Sequence, residues 1–221
     1  MTESDFKNTN TFPHIKADTL FSSPFLNLYD YRNDVTGHYY VASRNKEEDL
    51  LALKPYEEAV KTGSEAVSCI VIFVDKCKEA YLMLFEEYRY PVGQYVLAIP
   101  SGLTEENESP IEAAKRELYE ETGIRDQEII SVKEVSVPLF TTPGITDERC
   151  TFVCLLVDGL PRQLDHDHAS ESELFRREKY ISEEDAYKML ESVDMGTDFC
   201  SVVSWCALMY FQSGLWKKQD P

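Results

Sequence analysis

The hydrophobic positions of this chain fall into short unbroken runs and one spaced stripe. Residues 66–75 (AVSCIVIFVD) are almost continuously apolar, the pattern of a strand covered on both faces. A turn at 76–79 leads to a partner strand at 80–88, and residues 94–99 form the next. Further strands are predicted at 129–139 and 150–157. Between them lies the loop TTPGITDER (141–149), in which Pro143-Gly144 has the chemistry of a type II turn. Upstream, β-like runs at 18–31 and 38–44 flank a turn at 34–37 and suggest a hairpin. Residues 45–63 are charged and read as a loop with a helical piece, and residues 1–17 as a loose polar leader. Downstream, 158–178 is polar. A helix capped by Ser182 is expected over 182–191, and an apolar helix within 197–214 packs on the sheet. The sum is an α+β fold, a mixed sheet with helices on its faces.

The spaced stripe lies in residues 102–124, GLTEENESPIEAAKRELYEETGI. Ser109 is a good N-cap, Pro110 suits the first helical position, Glu112 sits where a capping-box acid belongs, and Gly123 can close the helix in the left-handed conformation. Ile111, Ala114 and Leu118 form the expected buried stripe, and Arg116, Glu117, Glu120 and Glu121 project towards the other side. Glu117 and Glu121 are one turn apart on one face, in the last turns, where the helix dipole disfavours anions. A solvated acidic face is one explanation. A divalent cation is the other, since Mg²⁺ is held by a few carboxylates with waters and substrate phosphates.

Composition narrows the partners. The 221 residues suffice for one domain with a real core, or one domain plus a small appendage, and 40 acidic against 22 basic residues give a net charge of −18. That argues against nucleic acid or an anionic membrane, but not against a small anionic substrate neutralised by a metal. Cysteines 69, 77, 150, 154, 200 and 206 form no CxxC pair, so a zinc ribbon is not expected. With no signal peptide and no long apolar run, the expectation is a cytoplasmic protein with reduced thiols. Asp165, His166, Asp167 and His168 admit a metal-cluster reading, although consecutive loop residues are usually solvated.

The 102–124 stretch resembles the Nudix box, G-x5-E-x7-R-E-U-x-E-E-x-G-U with U aliphatic. Gly102, Glu108, Arg116, Glu117, Leu118, Glu120, Glu121, Gly123 and Ile124 match every fixed position. Chance would produce this on the order of once in a hundred million windows. Two flanking stretches, EEYRYPVGQYVLAIPSG and TTPGITDER, resemble those of the ADP-ribose and nucleotide-sugar pyrophosphatase subgroup. The resemblance implies a Nudix fold, a mixed β-sheet core sandwiched by helices, with an N-terminal β-hairpin region (1–64) for dimerisation and base binding and a hydrolase domain at 65–221.

It also implies Mg²⁺, with Mn²⁺ as substitute, and hydrolysis of a nucleoside diphosphate derivative, ADP-ribose giving AMP and ribose 5-phosphate. Alternatives are another substrate (a nucleotide sugar such as ADP-glucose, NADH or a dinucleoside polyphosphate) or a non-catalytic ADP-ribose-binding domain. Residue by residue, the metal ligands would be Glu117, Glu121, the carbonyl of Ser101 and, with more than one ion, Glu120. Arg116 would orient the box carboxylates, pairing with Glu108. Arg89 would hold a phosphate. Glu148 would be the general base, with Asp147 the alternative. Phe25, Tyr39 and Tyr40 are candidates to stack on the base, and Arg44 to touch phosphate or ribose, in a homodimer. The chain departs from the subgroup at Ala98, where many members carry an acid, and this leaves the metal count open. Ser101 replaces a more common Ala or Gly, which a backbone ligand tolerates.

Overall fold

The apolar run at 66–75 becomes a central strand of the fold. The computed structural model describes residues 15–166, 168, 173–194, 196 and 198–218. The leader at 1–14, and Asp167 of the acidic-histidine stretch, lie outside these residues. The chain divides into two compact units: Met1–Gly63 with Phe140–Arg149, and Ser64–Leu139 with Cys150–Pro221. The expected division near residue 64 does not anticipate that 140–149 join the N-terminal unit.

The N-terminal unit holds a three-stranded antiparallel sheet, β1 (Lys16–Ser22), β2 (Asn27–Asn33) and β3 (Gly37–Ser43), in that order. The predicted hairpin is therefore extended by a strand. The run at 18–31 breaks because the Ser23 hydroxyl accepts from the amides of Phe25 and Leu26 and folds the chain back. Asn33 makes the next turn, its side chain accepting from Val35 N and Thr36 N. A small core of Tyr29, Tyr31, Val41 and Leu50 lies within this unit, which also carries a one-turn helix, α1 (Tyr56–Ala59). Buried Arg149 donates to the carbonyls of Gly63 (2.8 Å) and Ala59 (3.4 Å), tying the end of the 140–149 loop to the segment after α1. The turn at Pro143-Gly144 closes with Ile145 N donating to Thr142 O at 3.0 Å. Gly144 is not at positive φ, so the expected type II turn is not formed.

In the second unit, β4 (Ala66–Val74), β5 (Ala80–Arg89), β6 (Gln94–Ala98), β7 (Ser101–Leu103), β8 (Ile129–Glu134), the short β9 (Leu139–Phe140), β10 (Arg149–Asp158), β11 (Phe175–Ser182) and β12 (Phe199–Cys200) follow in sequence. The sheet order is β12-β6-β5-β4-β10-β8, with β11 on β5 and β7 on β4. β4 runs parallel to β10 and antiparallel to β5, so the sheet is mixed. Helices are α2 (Pro110–Thr122), α3 (Glu183–Ser192) and α4 (Val202–Ser213).

Strand periodicity sorts the core into two layers. Val67, Cys69, Val71 and Phe73 of β4, with Met83 and Phe85 of β5, face Ala113, Ala114 and Leu118 of α2. Ile70, Ile72, Leu82 and Leu84 point the other way, against Ala186 of α3 and Ala207, Leu208 and Phe211 of α4. This is the α+β architecture expected, with helices on both faces. The strand β11 was not anticipated. Its sequence, FRREKYIS, is masked by charges that the fold neutralises, with Arg176 and Arg177 on Glu86 and Lys179 on Asp198. Among the described residues no helix is long and apolar enough to cross a membrane.

Candidate active site

The local signals of α2 hold. The Ser109 hydroxyl accepts from Glu112 N at 3.3 Å, the Glu112 carboxylate accepts from Ser109 N at 2.9 Å, and Gly123 closes the helix at φ +69°. The acids are placed differently from the expectation. Glu117 and Glu121 do not oppose the apolar stripe but share the buried side with Ala113, Ala114 and Leu118, at 8% and 3% exposure. Ile111 is only half-buried, and Glu120 is partly exposed. A solvated acidic face is thereby excluded for the two residues expected to bind metal.

Arg116 makes the contacts that hold these acids. Its Nε and Nη2 donate to the two oxygens of Glu108, each at 2.9 Å, and Nη1 reaches Glu117 (2.7 Å) and Glu120 (3.0 Å). Nη2 also donates to the Leu103 carbonyl at 2.8 Å. The guanidinium beside it holds Glu108 below the usual carboxylate range. Ser101 N donates to Glu121 Oε1 at 3.2 Å, while Glu121 Oε2 is buried with no partner among the described residues. Burial first, and then the charges of Glu173, Glu117 and Glu87, push Glu121 well above the usual carboxylate range against the Ser101 amide. Burial likewise raises Glu117, although Arg116 opposes it.

Gly102 is the cradle for Glu117. A Cβ at this position would fall 2.0 Å from the Glu117 carboxyl carbon. That carboxylate is the free end of a side chain and can move aside, so the expected effect is on function rather than folding. Gly102→Ala keeps its melting temperature within a few degrees but weakens Mn²⁺ binding by about 10- to 100-fold, the range seen when a ligand loses its support. Isothermal titration beside a thermal melt checks both halves.

The raised carboxyls carry a pH signature. A native carboxyl with a raised pKa holds its proton more tightly than the unfolded chain does. Its contribution to stability therefore falls as pH rises from about 4.3, the unfolded value, through the native one. Without metal, Glu121→Gln is expected to melt higher than the parent, by a margin that widens from pH 5 to pH 8. Mg²⁺ should raise the parent's melting temperature, more at pH 8, and leave the variant unmoved. A variant that melts lower at pH 8 without metal refutes this account.

Of the four residues with a metal-cluster reading, Asp165 and His166 contact the end of α2, and Asp167 lies outside the described residues. His166 Nδ1 contacts the Glu121 carbonyl, its Nε2 lies 3.1 Å from Glu178, and Asp165 N donates to the Thr122 carbonyl at 3.2 Å. These donors satisfy carbonyls at the last turn of α2, where the dipole favours them.

Strand β5 adds acids that the sequence reading missed. Glu87 is 9% exposed and its Oε2 lies 2.7 Å from Nη2 of Arg89, the side chain expected to hold phosphate. Burial raises its carboxyl, which Arg89 counters. Glu86, on the opposite face of the strand, is taken up by Arg176 and Arg177. Charge alone hid Glu87, since a run of two glutamates reads as surface.

In the N-terminal unit, Glu148 Oε2 lies 3.3 Å from Nε of Arg44, and the Tyr39 hydroxyl donates to the Gly144 carbonyl at 2.7 Å. Both side chains assigned to substrate thus hold the 140–149 loop. Asp147 accepts from Asn45 Nδ2 at 3.4 Å, and its other oxygen is buried without a partner among the described residues. Phe25 is 78% exposed in the β1–β2 turn, and Tyr40 is exposed on β3.

The donors fit Mg²⁺. They are hard carboxylate oxygens, one of them buried and unpartnered. Among the described residues no three His, Cys, Asp or Glu side chains close into a preformed cage. Mg²⁺ does not need one, because it keeps several waters and takes one or two carboxylates plus phosphate oxygens.

The family model described as NUDIX domain matches residues 64–194. The chain is 33% identical to the ADP-sugar pyrophosphatase of Mus musculus, over 44% of this chain and 43% of that protein. It is 31% identical to the ADP-ribose pyrophosphatase of Bacillus subtilis (strain 168), over 52% and 58%. The chain spans about half the length of these curated relatives. A solved structure titled as an ADP compounds hydrolase shares the fold, with a TM-score of 0.59 at 20% identity over 93% of this chain and 95% of that one. With its box helix carrying the matched residues and the family model covering more than half of its length, the chain belongs to the Nudix family.

Proposed function

We propose that the chain hydrolyses the diphosphate of a nucleoside diphosphate derivative, with ADP-ribose as first substrate, giving AMP and ribose 5-phosphate. The observation that carries this is the Glu121 carboxylate, buried beside Glu117 with one oxygen unpartnered among the described residues. Burying an unpaired carboxylate is costly, and a cation site accounts for it. The named relatives support the substrate class.

Glu117 and Glu121 would hold the cation, with Glu120 and the Ser101 carbonyl as further donors. A bound divalent cation neutralises the diphosphate and eases deprotonation of a water. Arg116 keeps Glu117 and Glu120 oriented through its pairing with Glu108. Arg89 stabilises negative charge on the phosphate oxygens. Glu148 takes the proton of the attacking water, whose oxygen bonds to phosphorus as the bridging P–O bond breaks. The reading includes a homodimer, supported by apolar Leu20, Phe21 and Phe25 exposed in the N-terminal unit.

The test is hydrolysis of a panel with Mg²⁺: ADP-ribose, ADP-glucose, other nucleotide sugars, NADH and diadenosine polyphosphates, each with and without EDTA. ADP-ribose should be turned over best and EDTA should stop it. Equal rates with EDTA would end the reading.

A further inference from the structure

The acids of α2 face a sheet surface whose composition can be read from the strand register. Phe85 pairs with Ala98 and Glu87 with Val96 across β5 and β6, so Glu87 lies on the same face as Phe85 and Ala98. Phe85 and Ala98 pack in the layer beneath Ala113, Ala114 and Leu118 of α2. On the other side of β5, Phe175 of β11 pairs with Glu87, and its ring meets that of Phe85 at 4.8 Å, which fixes the same face. Val96 and Ala98 of β6 bring no charge to this surface. Glu87 brings a buried carboxylate, and its charge reaches Glu121. A buried acid needs a partner. Glu87 has Arg89 at 2.7 Å, whereas Glu121 Oε2 has none among the described residues.

Building on the proposed function, we infer that Glu87 is a further ligand of the cation at Glu117 and Glu121, and that it exchanges Arg89 for the cation when the site fills. The exchange frees the Arg89 guanidinium for the substrate phosphate at the moment the cation is in place. An empty site keeps the two side chains paired with each other. Cation and phosphate binding are therefore coupled through one ion pair, and the coupling is reciprocal.

Mn²⁺ affinity, measured by isothermal titration and by the EPR signal of free Mn²⁺, tests this without any turnover. Thermal melts confirm that each variant is folded. Glu87→Gln should weaken Mn²⁺ binding at least tenfold, the lower end of what loss of even a supporting residue does. Arg89→Ala removes the competing partner, so it should bind Mn²⁺ as tightly as the parent or more tightly while its KM for ADP-ribose rises. An affinity of Glu87→Gln within twofold of the parent makes Glu87 a clamp for Arg89 only and overturns the inference. Weaker Mn²⁺ binding by Arg89→Ala overturns the exchange as well. If the parent and Glu121→Gln bind Mn²⁺ equally poorly, the proposed function itself fails. If Glu121→Gln loses Mn²⁺ and Glu87→Gln does not, only this inference falls.

Discussion

On the proposed function, Glu117→Gln is expected to lower turnover of ADP-ribose by about a thousandfold. A metal contributes several kcal/mol to such a step, and each 1.4 kcal/mol or so is a factor of ten. The amide is nearly isosteric and keeps the contact to Arg116 that Glu117 now makes at 2.7 Å. The loss therefore lies in charge rather than shape. The fold should survive, because the substitution removes a buried negative charge from beside Ala113, Ala114 and Leu118. Steady-state kinetics over a wide range of Mg²⁺, beside a melting curve, checks this. A variant that reaches the parent's turnover number at saturating Mg²⁺ would remove Glu117 from the ligand set.

If Glu148 is the proposed general base, Glu148→Gln is expected to give the second large effect, a fall in the turnover number of about 10²- to 10⁴-fold. Binding should change little, so a non-hydrolysable ADP-ribose analogue should bind with the parent's affinity. The variant also weakens the contact with Arg44 at 3.3 Å, which is half-exposed and contributes little to stability. An unchanged turnover number would pass the role to Asp147 or to another acid. A fall in analogue affinity alone would make Glu148 a loop anchor, since its backbone already binds Thr141 and Thr146.

Several of these assignments were legible in the sequence because their physics is local. A capping box, a proline at the first helical position and a glycine at the last turn are each decided within four residues, and all three occur in α2. The strand β4 was legible because burial on both faces leaves Ser68 as its one polar position. The pairing of Arg116 with Glu108, which the resemblance implies, also occurs. Expectations that needed distant partners fared differently. The strand β11 depends on Glu86, ninety residues earlier in the case of Arg176, to neutralise its charges. The third strand of the N-terminal sheet needed one serine turn inside what looked like a continuous run.

What the chain determined by itself is the helix that carries Glu117, Glu120 and Glu121, the strands that support it, and the spacing that sets those acids on neighbouring turns, because propensity, capping and periodicity act over a few residues. Only the tertiary structure decided that Glu117 and Glu121 are buried. It alone placed Glu87 on the same sheet face through the registers of β5, β6 and β11. It alone turned His166 to the helix end. The physical reason is that burial and register belong to pairs of surfaces far apart in sequence, and a carboxylate changes meaning when water is taken from it.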